Sequence, residues 1–269
     1  MRIAQTIIEG ASELERKSQR IDFVGLSDSH EVVLVPSASL AGVSADLIHV
    51  YGPELLPAAP FIGLTIPFVA SGRVARRRLA IRQPPQPRAL VSPIDSLPEA
   101  VEELWFSAAD SNGDRPGEVR RVASFGPHRA GVKNQIEQTL ARLHRFRDDI
   151  EWLTLDRAPA PEDLIGVDVW VDPATSVNDY DGFVAEAIVA GKPVVAARTP
   201  INTQRLEKGR TGFLVPVRDP NELAHAILSA LFKPEVARPK IEAARQTAGK
   251  FRPRQRLRVL ERLYQTLIP

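Results

Sequence analysis

Apolar positions along the chain fall into short β-branched runs separated by polar or helix-prone stretches. That alternation predicts an α/β fold in which parallel strands are covered on both faces. In the first half the apolar runs lie at 1–8, 30–36, 46–51, 66–70 and 90–91. Residues 11–20 are polar and helix-prone, and 54–64 and 97–106 fit helices, the former interrupted by Pro57 and Pro60. Arginines cluster at 73–78, and Pro84, Pro85 and Pro87 then exclude a regular helix. Residues 107–117 are small, polar and bear Gly and Pro, the pattern of a linker. The chain therefore divides into a domain over 1–110 and a second over 118–269.

The second part is more regular. Strands are predicted at 119–125, 150–155, 167–171, 193–197 and 212–215. Helices are predicted at 131–147, 183–190, 203–208 and 220–232, with a helical turn at 161–165. The first of these places Val132, Ile136, Leu140 and Leu143 at helical spacing. The tail is helical with a break near Pro253. Strands alternating with helices in this order imply a parallel sheet covered on both faces.

Composition narrows the chemistry. With 43% hydrophobic and 25% charged residues among 269, the chain is that of an ordinary globular protein. The net charge of +2 gives no reason to expect nucleic acid. The absence of cysteine excludes disulfides, thiolate metal sites and a Cys nucleophile. No signal-peptide pattern and no apolar run of spanning length is present, so a cytoplasmic protein is expected, at most touching a membrane surface through arginines 73, 76, 77 and 78. The histidines show no metal-ligand spacing, and no metal or tightly held cofactor is expected. Trp105, Trp152 and Trp170 are expected to be packing residues. No G-x-G-x-x-G follows a strand, which argues against a dinucleotide-dependent epimerase or sensor.

Ligands of open parallel sheets sit beyond the carboxyl ends of the strands. The loop after the strand at 167–171 carries Asp181, Gly182 and Phe183 and enters a helix bearing one acid, Glu186. A carboxylate there can accept both hydroxyls of a ribose. The stretch Asp181–Pro216, with its Asp-Gly-Phe, Glu-Ala, Gly-Lys-Pro-Val-Val and Gly-Arg-Thr-Gly-Phe-Leu-Val-Pro, resembles the C-terminal domain of GT-B glycosyltransferases of family four. The family's motif is E-G-F-G-x-P-x-x-E-A-x-A-x-G-x-P-V-V. The resemblance gives Glu186 the ribose role and Asp181 the place of the acid near the transferred sugar, with Asp for Glu and a spacing about one helical turn shorter. Gly182 and Phe183 shape the donor loop.

The family's basic pair, G-R-x-x-x-x-K-G, implies that Arg129 and Lys133 neutralise the donor diphosphate, with Arg129 offset by a couple of residues. In the first half the resemblance puts Tyr51 where many members have the second histidine of a His-x-His motif, beside the reaction centre; His49 occupies the first. The resemblance implies an α/β fold of two Rossmann-like domains with parallel sheets, and transfer of a sugar from a nucleotide-sugar to an unidentified acceptor, with retention and without metal. The alternative, favoured by Tyr51, the shortened acidic motif and the small first half, is a catalytically degenerate GT-B protein that binds a nucleotide or a partner.

Overall fold

β-branched runs become strands wherever both of their faces can be covered, and the molecule uses this arrangement twice. The computed structural model describes residues 1–7, 13–36, 39–40, 43–52, 68–72, 89–90, 99–108, 119–126, 131–175 and 182–267. The chain forms two compact units, one of residues 1–100 with 251–269 and one of residues 101–250.

In the first unit β1 (Arg2–Ile7), β2 (Glu31–Leu34), β3 (Leu47–Gly52), β4 (Phe68–Gly72) and β5 (Ala89–Leu90) form a parallel sheet ordered β2-β1-β3-β4-β5. Alternation along the strands sends Ile3 and Leu47 to one face and Ala4, Ile48 and Val50 to the other. The first face packs under Leu26 of α1 (Glu13–Leu26) and Leu260 and Tyr264 of α8 (Pro253–Leu267). The second is closed by Leu40. The C-terminal helix therefore packs with the first unit, whereas the expected second domain ran over 118–269. The cause is burial: α8 brings apolar residues and one charge to a sheet more than two hundred residues away in sequence.

That charge is Arg256. Its Nε donates to Oδ1 of Asp22 at 2.6 Å and a terminal nitrogen donates to Oδ2 at 2.8 Å, with both side chains essentially unexposed. Tyr51 donates its hydroxyl to the same carboxylate at 2.8 Å. Nδ1 of His49 lies 3.0 Å from the Tyr51 oxygen and within hydrogen-bonding distance of the Tyr264 hydroxyl. Odd-numbered Leu47, His49 and Tyr51 share the β3 face that α1 and α8 cover, so the strand's alternation assembles this cluster. Burial, and then the Arg256 charge, hold His49 well below its ordinary pKa of 6.5. Burial and the Asp22 charge push Tyr51 well up.

A pH dependence follows. The folded state keeps His49 neutral, whereas the unfolded chain takes up its proton near pH 6.5. The unfolded state thus binds more protons below that pH, and stability falls as the pH drops from neutral. Urea midpoints measured from pH 8 to pH 5 are expected to decline more steeply for the native protein than for His49→Gln. Equal slopes would remove His49 as the cause.

In the second unit β6 (Arg120–Phe125), β7 (Ile150–Leu155), β8 (Val169–Asp172), β9 (Val194–Ala197) and β10 (Phe213–Val215) form a parallel sheet ordered β10-β9-β8-β6-β7. The inner strands β8 and β9 are buried throughout, as expected of strands covered on both faces. Val122, Val169, Val171 and Val195 pack beneath α3 (Val132–Leu143) and α6 (Pro220–Phe232). α4 (Val184–Val189), α5 (Pro200–Arg205) and α7 (Pro234–Thr247) complete the unit with the short α2 (Leu104–Ala108). Thr199 caps α5 by accepting from the Asn202 N–H, and Asp219 caps α6 by accepting from two N–H groups.

Two expected helices differ. The one predicted over 97–106 begins only at Leu104, because Glu99 is tied to Lys17 at 3.8 Å and Ala100 and Val101 are buried in non-helical backbone. In α3 the buried residues are Val132, Gln135, Thr139 and Leu143, whereas Ile136 and Leu140 are only half-buried. The helix is rotated so that two polar residues face inward, and Thr139 satisfies its hydroxyl by donating to the Gln135 carbonyl at 2.7 Å. The short helix predicted at 54–64, the arginine cluster at 73–78 and the core of the expected linker lie outside the described residues. Trp105 and Trp170 are buried and Trp152 is half-buried, as expected of packing residues.

Candidate functional site

Connections in the second sheet run outward in opposite directions from β6 and β8, so a topological switch point lies between those neighbouring strands. The loops beyond their carboxyl ends lead to Gly131 at the start of α3 and to Gly182 at the approach to α4. This is where the sequence places its candidate donor residues.

The approach to α4 is tightly built. Trp170 donates its indole N–H to the Gly182 carbonyl at 2.8 Å. The back of Gly182 lies against the Asp172 carboxylate: a Cβ there would meet its atoms at 2.4 to 2.8 Å. Asn202 in turn holds Asp172, donating to Oδ2 at 2.6 Å and to the Ala197 carbonyl at 3.0 Å. Phe183 adopts φ 49° and meets Phe125 edge to face at 4.7 Å between ring centres. A non-glycine residue in the left-handed region costs on the order of 1 kcal/mol or more and persists where its surroundings dictate it. Here the aromatic contact with the end of β6 and the anchored Gly182 do so.

Glu186 stands one turn further on, 1% exposed, in a helix whose every residue is buried. Lys133 lies at the opposite extreme, its side chain 80% exposed and 3.9 Å from Glu137 one turn along α3. Exposed pairs of this kind contribute roughly 0.3–0.5 kcal/mol, so little holds the ammonium against an incoming anion. Asp181 and Arg129 lie outside the described residues. Among the expected donor residues, Gly182, Phe183, Glu186 and Lys133 occupy the carboxyl side of one sheet.

Tyr51 and His49 belong to the first unit and are fully buried. The expected role of Tyr51 beside a reaction centre requires a reachable hydroxyl, and that group is committed to Asp22. The structure gives Tyr51 a place in the core, because its side of β3 is the one that α1 and α8 cover. Asp172 and Asn202, which shape the Gly182 turn, were not singled out from sequence. The visible signal was an acid at the end of an apolar strand, at a predicted switch point.

A doubly wound pair of parallel sheets is the fold of GT-B glycosyltransferases, and solved structures of that class share it. A glycosyltransferase from Rickettsia africae ESF-5 matches 99% of this chain over 98% of its own, with a TM-score of 0.72 and 13% identity. The Anabaena protein Alr3699/HepE in complex with UDP and glucose matches 98% over 99%, with a TM-score of 0.64 and 13% identity. WaaG, a glycosyltransferase involved in lipopolysaccharide biosynthesis, matches with a TM-score of 0.62 and 13% identity, over 98% of this chain and 99% of its own.

Residues 121–232 match the family described as Glycosyl transferases group 1. A D-inositol 3-phosphate glycosyltransferase from Corynebacterium jeikeium (strain K411) is 34% identical over 114 residues, 40% of this chain. The match spans 27% of that relative's length. Among the described residues, no helix is long and apolar enough to cross a membrane.

Proposed function

We propose that the protein is a glycosyltransferase that takes a sugar from a nucleotide-sugar donor held by its second unit. The observation that carries this reading is a buried carboxylate, Glu186, one turn past the anchored Gly182–Phe183 approach, inside the segment that matches the glycosyltransferase family. A carboxylate shielded from bulk water forms strong charge-assisted hydrogen bonds, and the two hydroxyls of a ribose supply two donors. Lys133 and Arg129 neutralise the diphosphate, and Asp181 faces the transferred sugar. Transfer proceeds with retention and without metal, the leaving diphosphate being stabilised by basic side chains. No resident cofactor is needed. The acceptor is a sugar, a lipid or a small molecule, and the protein works in the cytoplasm.

Calorimetry with UDP, GDP and ADP tests this reading, with UDP the first choice because the Anabaena neighbour binds it. One diphosphate is expected to bind, and Glu186→Ala to weaken it by about 10–100-fold, the worth of a lost charged hydrogen bond. If none of the three binds, the donor reading fails. Slow donor hydrolysis that persists in EDTA and releases sugar with the donor's anomeric configuration would support retention without metal. A second reading, a degenerate GT-B protein that binds a nucleotide without transfer, is favoured by the burial of Tyr51. It predicts the same diphosphate binding with no turnover of any donor.

A further inference from the structure

A second feature of the sheet's carboxyl side is unexplained by a donor site. Gly131, Asn134, Gln135, Gln138, Thr175, Arg218 and Pro220 line a cavity of about 210 Å³. Gln135 is 5% exposed, and neither its amide nitrogen nor its amide oxygen has a hydrogen-bond partner. A buried amide left unpaired is costly, and natural proteins rarely keep one without a reason.

Arg218, across the cavity, holds φ 62°, a conformation that disfavours a side chain of any size. Its Nε donates to the Thr175 carbonyl at 2.7 Å. Arg218 also lines the cavity, and among the described residues that lining holds no acidic side chain. α3 begins there with no side-chain cap, so its first-turn N–H groups add a positive end to the same space. Gln138 already donates to Asn134 at 3.0 Å, which fixes those two amides at the rim.

We propose that this cavity is a binding site for a small phosphorylated polyol, such as a sugar phosphate. The positive helix end and Arg218 select the phosphate. The Gln135 amide needs both a donor and an acceptor, which a polyol hydroxyl provides and the ester phosphate dianion of a sugar phosphate does not. The site is separate from the diphosphate position proposed for Lys133. Lys133 and its partner Glu137 lie on the exposed side of α3, whereas Gln135 lies on the buried side.

Calorimetry with glucose 6-phosphate, inorganic phosphate, glucose and UDP tests the site. Glucose 6-phosphate is expected to bind more tightly than phosphate, with no detectable binding of glucose. Gln135→Leu and Arg218→Gly should each weaken glucose 6-phosphate by about 10-fold or more while leaving UDP binding unchanged. Gln135→Leu should not lower the melting temperature, because it removes an unpaired amide, whereas Arg218→Gly exchanges the bond to the Thr175 carbonyl for relief of a left-handed backbone and should change it little. Failure of glucose 6-phosphate to bind would overturn the proposal. So would equal binding of inorganic phosphate, which indicates an adventitious ion only, or affinity unaffected by both substitutions. Competition between UDP and glucose 6-phosphate, with both weakened by Gln135→Leu, would assign the cavity to the donor and also overturn it. Loss of UDP binding in Glu186→Ala alone bears only on the donor reading.

Discussion

Arg256→Ala is expected to destabilise the first unit by about 3–5 kcal/mol, the usual cost of leaving one member of a buried ion pair alone. Asp22 would keep its hydrogen bond from Tyr51 but lose a two-pronged cationic partner in a site with no solvent access. Such a loss consumes a large part of a typical domain's stability of roughly 5–15 kcal/mol. Asp22→Ala should be at least as damaging, because it removes the carboxylate that accepts two of the buried guanidinium's hydrogen bonds. By contrast, Asp22→Leu with Arg256→Met replaces the pair by apolar groups and should recover most of the loss. Urea unfolding followed by circular dichroism checks all three. Limited trypsin digestion of Arg256→Ala should release the segment beyond Phe251 before the rest of the chain. Wild-type stability in either single variant would show that α8 is held by its apolar contacts with Ile3, Leu26 and Leu47 alone.

This pair also marks where reading the sequence stops. Most strands of both sheets were legible because they are short apolar, largely β-branched runs ended by Gly, Pro or a polar cluster. The break before α8 was legible because Pro253 cannot continue a helix. The partnership of Asp22 with Arg256 was not legible, since neither the polar pattern of α1 nor the charged start of α8 names a partner. Only burial of both helices on one face of β3 brings the two together, and the same burial takes Tyr51 out of reach. α3 shows the complementary failure. Its apolar spacing pointed to Ile136 and Leu140, whereas packing against α6 and the sheet turned Gln135 and Thr139 inward.

In the candidate site, the sequence located the Gly182–Glu186 segment because a motif can be read along a continuous stretch. It could not identify the residues that support that motif from elsewhere in the chain. Asp172 lies behind Gly182, and Asn202, thirty positions beyond Asp172, orients it. The glycine is required here by lack of space behind it.

That lack of space gives the second large effect. In Gly182→Ala a Cβ would sit 2.4 Å from the Asp172 carboxyl carbon and 2.5 and 2.8 Å from its oxygens. Separations this short cannot persist, and Asn202 and Trp170 limit how far either side can move. Overpacking of this kind costs about 1–3 kcal/mol. Because the displaced backbone leads directly into Phe183 and Glu186, diphosphate affinity should fall about 10-fold or more, the fold-change that about 1.4 kcal/mol of lost binding produces. Asp172→Ala should restore room for the new methyl group, while Asn202 keeps its bond to the Ala197 carbonyl. The double variant Gly182→Ala/Asp172→Ala is therefore expected to recover melting temperature and nucleotide affinity relative to Gly182→Ala alone. Asp172→Ala by itself should lose both in part, because Asn202 then lacks an acceptor for its second donor. If the double variant is no better than the sum of the single losses, the two residues do not act through their contact, and Gly182 matters for another reason. If Gly182→Ala binds nucleotide normally, the turn lies outside the donor site, whatever the role of Glu186.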